Sequence, residues 1–264
     1  MTLVQAFSIG EKEVISLVGG GGKTTLLYAL GRELSALRCG TILTTTTKIL
    51  EPEPSPFFRQ FLSPELSAVK KWVTEHIHRH QCLLLARGRL PNGKLEGIFP
   101  EWVEELFCVD GVSTIVNEAD GSAGRPLKAP RDGEPVIPDN TTLLVPVMGI
   151  DGMGRPLDEE TVFRSAIASR LLNLPMGSMV TEEAVARLMR ELIKQGPSGT
   201  RVIPLINKVD IPGGLEKAEK LAYYILSLDL TGIRRVVLCQ LRHFPAVKVI
   251  VPTGLRRPTR DSNQ

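Results

Sequence analysis

The chain of 264 residues lacks several features that would fix a class at once. Its four cysteines, Cys39, Cys82, Cys108 and Cys239, form no C-x-x-C and no paired spacing. Each lies in or beside an apolar run, the pattern of reduced, mostly buried thiols rather than of a disulfide framework. There is no excess of one charge: 32 Lys and Arg against 29 Asp and Glu leave +3, too balanced for nucleic acid as the main partner. No apolar run reaches the length of a membrane span, and MTLVQAFSIGEKE puts no basic region before an apolar one. A cytoplasmic protein is expected, without membrane or nucleic-acid partners. His76, His78 and His80 lie near Cys82 at a helix end, but only His76 and His80 would share a face. No second cluster completes a metal site, so a solvated helix terminus is expected there.

Hydrophobic residues make up 42% of the chain and charged ones 23%, enough for a core and against disorder. The most informative stretch is VISLVGGGGKTTLL, Val14 to Leu27. A β-branched run stops at four glycines, Gly19, Gly20, Gly21 and Gly22, followed by Lys23, Thr24, Thr25 and a helical pattern. Glycines let backbone N–H groups approach an anion, and a helix start aims its unpaired N–H groups and dipole at the same point. Lys23 can reach phosphate oxygens, and the Thr24 hydroxyl can ligate a phosphate-bound Mg²⁺. The usual P-loop pattern would place its first glycine where Leu17 stands, so a shorter or differently shaped loop is expected. The competing reading is a tight strand-to-helix turn that happens to precede a lysine.

Leu27, Leu30, Leu34 and Leu37 continue a helix, Gly40 ends it, and Thr41–Thr44 reads as a second strand. The βαβ unit implies a parallel sheet with ligands at the carboxyl ends of its strands. If the two strands are neighbours, the threonines that follow, with Thr45 and Thr46 as candidates, meet the glycine loop and could contact Mg²⁺ or a γ-phosphate. EPEPSP is a loop. Ser63 offers a cap to a helix carrying Leu66, Val69, Val73 and Ile77. Cys82–Ala86 reads as a buried strand, Lys94–Ile98 as an extended segment after a turn, and Glu101–Phe107 as a helix with Trp102 and Leu106 inward.

The second informative stretch ends a strand: STIVNEADG, with Glu118 and Asp120 on one face. Either could hold Mg²⁺ or orient the attacking water. The following Pro- and Gly-rich segment carries Arg125, Lys128 and Arg131, candidates for clamping an anionic substrate. Strand 142–147, helix 159–172 and a helix begun by Thr181 follow. The strand 201–206 then delivers the third stretch, Asn207, Lys208, Val209 and Asp210. In N-K-x-D the Asp accepts two hydrogen bonds from guanine, whereas adenine offers no N1 donor, so GTP is favoured over ATP. A helix at 215–225 and strands at 235–238 and 247–251 close one domain, residues 1–253; residues 254–264 read as a polar, frayed tail.

The segments VGGGGKTTLLYAL, TTTTKI, EADGSAGRPLKAP, GEPVIP and INKVD, in this order, resemble the YqeC family, accessory proteins of selenium-dependent molybdenum hydroxylases. The resemblance covers most of the chain. It implies a three-layer α/β P-loop NTPase with a mostly parallel central sheet, acting in maturation of such an enzyme. Where a small residue and often histidine are expected in that family, this chain has Gly133 and Phe163, so no histidine role is carried over. Glu118 and the N-K-x-D also resemble the GTPase class of nickel-insertion proteins. That likeness implies nucleotide-dependent dimerisation and hydrolysis coupled to delivery of a metal or cofactor. Two rival readings are a transferase, whose nucleotide activates selenium or a pterin held by Arg125 and Lys128, and a nucleotide-binding adaptor without turnover.

Overall fold

The structure is a computed structural model that describes residues 1–37, 40–79, 82–228 and 232–254. A short helix α1 (Leu3–Phe7), capped by Thr2, precedes β1 (Glu13–Gly19), the glycine loop and α2 (Lys23–Leu37). Next come β2 (Thr41–Thr45), β3 (Lys48–Leu50), β4 (Arg59–Leu62), α3 (Leu66–His76), β5 (Cys82–Ala86), β6 (Gly88–Arg89), β7 (Lys94–Glu96), α4 (Pro100–Phe107) and β8 (Thr114–Glu118). The second half holds β9 (Leu127–Lys128), β10 (Leu143–Gly149), β11 (Val162–Phe163), α5 (Ser165–Leu172), α6 (Glu182–Ile193), β12 (Arg201–Val202), β13 (Leu205–Asn207), α7 (Gly214–Ser227), β14 (Arg235–Cys239) and β15 (Val247–Pro252).

Among the described residues ten strands form one sheet, in the order β15-β14-β13-β10-β1-β8-β2-β5-β4, with β12 also on β10. Every pairing is parallel except β14 with β15. Helices cover both faces, giving three layers. Ile15 and Leu17 of β1 pack with α1 and α2 on one face. On the other, Val18 joins α5, α6 and α7, while Val14 joins α3 and α4. A central strand covered twice is nearly continuously apolar, and all seven residues of β1 are buried, with Glu13 paired to Arg201 and Ser16 hydrogen-bonded to Thr141.

Strand order departs from the simple βαβ expectation. β2 is not the neighbour of β1; β8 lies between them, pairing Glu118 with Leu17 on one side and with Thr45 on the other. Local periodicity reveals strands but not which distant strand fills the gap. Three boundaries also move. The helix expected from 159 begins at Ser165, because Asp158 takes the N–H groups of Glu160 and Thr161 and Glu159 takes that of Ser165. Ser63 accepts from the Glu65 N–H and caps no helix. Strand 201–206 divides into β12 and β13 at Pro204, which has no N–H to donate. In α4 the inward residues are Val103 and Leu106, with Trp102 only half-buried. Cys82 and Cys239 are buried but Cys108 is exposed; Cys39, His80 and most of the expected tail lie outside the described residues.

Candidate functional site

The sheet's carboxyl edge is where the glycine loop sits, and the loop's shape depends on residues without a Cβ. Gly19, Gly21 and Gly22 have φ of 98°, 75° and 133°, in the left-handed region. A Cβ on Gly21 would stand 2.1 Å from the Gly149 backbone nitrogen. The loop is clamped by its neighbours: Gly20 N–H donates to Val147 O and Gly21 N–H to Arg125 O, both at 2.9 Å. The helix that follows leaves its first N–H groups without intrahelical acceptors. Those groups belong to Gly22, Lys23, Thr24 and Thr25, and all four residues line a cavity of about 630 Å³.

The charged groups behind the loop form a closed set. Lys23 is buried; its Nζ donates to Gly19 O and lies 3.2 Å from Asp120 Oδ1 and 3.7 Å from Glu118 Oε1. Asp120 has no exposed side-chain surface. It accepts the Gly19 N–H at 3.1 Å and meets Lys128 Nζ at 2.9 Å. Lys128 is equally buried and continues to Glu134 at 3.2 Å, which also takes Arg131 and Arg164. Glu118, by contrast, lines the cavity and accepts the Thr24 hydroxyl at 2.8 Å.

Burial pushes the Glu118 carboxyl above the usual range, an effect that Lys23 and Thr24 oppose and Asp120 reinforces. Burial likewise pushes the Lys128 ammonium down against the pull of Asp120. For Glu134 burial acts upward, but the Arg164 hydrogen bond and the Lys128 charge hold it below the usual value.

The opposite wall comes from the ends of β13 and β14. Asn207 ties this wall to the glycine loop, with Nδ2 donating to Gly21 O at 2.8 Å and Oδ1 accepting the Leu241 N–H at 3.1 Å. Lys208, at φ 65°, reaches Asp151 at 2.6 Å. Asp210 is exposed at the rim, 3.3 Å from His243 Nε2. Glycine loop, hydroxyl, lysine, the Glu118 carboxylate and N-K-x-D therefore meet on one cavity, with Asp120 buried behind it.

Besides Asp120 and Lys128, which are buried behind the loop, three expected side chains do not face it. The Thr45 hydroxyl donates to Glu118 O and the Thr46 hydroxyl to Val136 O. The Arg125 guanidinium turns to Glu159 O, leaving only its backbone at the loop. Conversely Lys48, Lys94, Arg242 and His243 line the cavity without having been singled out as site residues. The signal for Arg242 and His243 was their place just after a closing strand; Lys48 directly follows the threonine run.

The fold and site define a three-layer α/β protein with a glycine-loop cavity at the carboxyl edge of a parallel sheet. The chain belongs to the YqeC family: residues 15–166 match the family model described as "YqeC protein". It is 30% identical over 240 residues to "Uncharacterized protein YqeC" of Escherichia coli (strain K12), covering 89% of this chain and 90% of that relative. Among the described residues no helix is long and apolar enough to cross a membrane.

Proposed function

We propose that the protein is a P-loop NTPase that binds and hydrolyses a magnesium nucleotide, with GTP favoured over ATP. The observation that carries this reading is the convergence of Gly21, Gly22, Lys23, Thr24, Glu118, Asn207, Lys208 and Asp210 on one cavity. The first-turn N–H groups of α2 and the Lys23 ammonium suit the β- and γ-phosphates. Thr24 and Glu118 offer the hard oxygen donors that suit Mg²⁺, which when bound neutralises charge on the phosphate oxygens. Glu118 is the carboxylate with access to the phosphate end; Asp120 holds the Gly19 N–H and shares Lys23. Asp210 at the rim would accept from the guanine edge, and Asn207 braces the base wall against the loop.

The family resemblance extends the proposal to a cytoplasmic accessory role in maturing a selenium-dependent molybdenum hydroxylase, with nucleotide-dependent homodimerisation. The test is anisotropy of a fluorescent GTP analogue, with Mg²⁺ and with chelator, on wild type and Thr24→Val. The reading expects Mg²⁺-dependent binding whose metal dependence is lost in the variant. Absence of binding to wild type would overturn it.

A further inference from the structure

On the far side of Thr46 and Thr47 lies a second cavity, of about 420 Å³, that shares Lys48 with the first. Its volume falls in the range of small-ligand sites. The lining cations are Lys48, Arg87 and Arg131, and the lining carboxylates are Glu96 and Glu134. Arg164 stands behind Glu134, bonded to it. Three cations thus face two carboxylates, an excess of one positive charge, and one of those carboxylates is also held by Arg164 from behind. Lys128 has Asp120 as its nearer partner, so Arg131 and Arg164 are left to share the single carboxylate of Glu134.

The donors are not exhausted either. A guanidinium carries five N–H groups. Arg131 has one nitrogen, Nη2, on Glu134, while Arg87 uses Nε on Gly97 O and Nη2 on Glu96. Arg164 Nη1 is buried with no acceptor among the described residues. Beside these groups the Phe99 ring lies under Arg87, 4.1 Å from the guanidinium carbon, and gives the cavity an apolar wall. Free guanidinium donors, an excess of positive charge and a partly apolar wall are what a small organic anion requires.

We propose that this second cavity is a binding site for a small anionic ligand bearing carboxylate or phosphate groups, with Arg131 and Arg87 as its principal donors. The site shares only Lys48 with the glycine-loop cavity and stands whether or not that loop takes GTP. Its physical link to that loop is the buried chain Glu134, Lys128, Asp120, Lys23.

The test uses the full-length protein and two probes, malonate and inorganic phosphate, titrated by calorimetry into wild type, Arg131→Ala, Arg87→Ala and Lys23→Ala. Thermal melting of each variant establishes that it is folded. Losing a charge-assisted hydrogen bond corresponds to roughly tenfold to hundredfold in affinity. Saturable malonate binding, weakened by that factor in both arginine variants and retained in Lys23→Ala, supports the site. Phosphate that competes with malonate extends the ligand class to phosphoryl groups; phosphate that does not compete restricts it to carboxylates. The proposal is overturned by no saturable binding of either probe, by equal binding in the arginine variants, or by binding lost only in Lys23→Ala, which would put the anion in the glycine loop.

Discussion

Replacing Lys128 with methionine removes one partner from an ion pair that has no access to water. Asp120 and Lys128 both have 0% side-chain exposure and lie 2.9 Å apart. In the variant Asp120 keeps Lys23 and the Gly19 N–H, but the ammonium that faces its Oδ2 is gone. Breaking a buried pair from one side costs about 3–5 kcal/mol, chiefly because the surviving charge is stranded. For a chain of this size 1 kcal/mol corresponds to roughly 2–4 °C, so Tm should fall by about 6–20 °C in differential scanning calorimetry. Asp120→Asn/Lys128→Met strands no carboxylate at position 120, so its loss should be smaller than the sum of the single losses by about 0.5–3 kcal/mol. There is a pH signature as well. Burial lowers the Lys128 ammonium below the ordinary lysine value. Between the lowered and ordinary values the unfolded chain holds a proton that the folded chain lacks, so stability rises with pH there, and Lys128→Met flattens that rise. A Tm within about 2 °C of wild type, or strict additivity in the double variant, would refute the buried-pair account.

Other expectations follow from the same geometry. Burial raises Glu118, so between the ordinary carboxylate value and the raised one the folded chain holds the extra proton. Stability should then fall with rising pH across that window while Mg²⁺-dependent nucleotide affinity rises, and both trends should vanish in Glu118→Gln when melting and binding are followed as pH series. Gly21→Ala forces a Cβ onto the Gly149 backbone at positive φ; urea unfolding should show a loss of at least about 1–3 kcal/mol, together with loss of nucleotide binding. Asn207→Ala leaves the buried Leu241 N–H without its acceptor and frees Gly21 O. Stability should drop by about 1–3 kcal/mol, and GTP and ATP affinity should weaken together, since the brace acts on the loop and not on the base.

The parts of the molecule that were legible in the sequence are those whose causes are local. Val14–Val18 running into four glycines and Lys23 can be only a strand, a tight loop and a following element, and the structure has β1, the loop and α2 there. Parallel, doubly covered strands follow from their near-continuous apolar runs. What escaped was set by distance. β8 slips between β1 and β2, and this one event turns the Thr45 hydroxyl onto Glu118 O and brings Glu118 to Thr24. Lys128 sits in RPLKAP, a loop stretch in which it reads as a candidate clamp for an anionic substrate; it is buried instead because Asp120 and Glu134, eight residues before and six after, fold back around it. Arg125 illustrates the converse: its position beside the loop was legible, but its side chain is drawn away by Glu159 O. Arg242 and His243 carry no motif of their own and reach the cavity only because β14 lies beside β13.

Calorimetric titration of Mg-GTP and Mg-ATP into wild type, Lys23→Ala and Asp210→Asn decides whether the glycine loop holds a triphosphate whose base is read by Asp210. Wild type should bind GTP more tightly than ATP. Asp210→Asn should lose that preference, with GTP weakened roughly tenfold to hundredfold, and Lys23→Ala should bind neither nucleotide. Equal or ATP-preferring binding by wild type would contradict the base assignment, and affinity unchanged in Lys23→Ala would contradict the phosphate site itself.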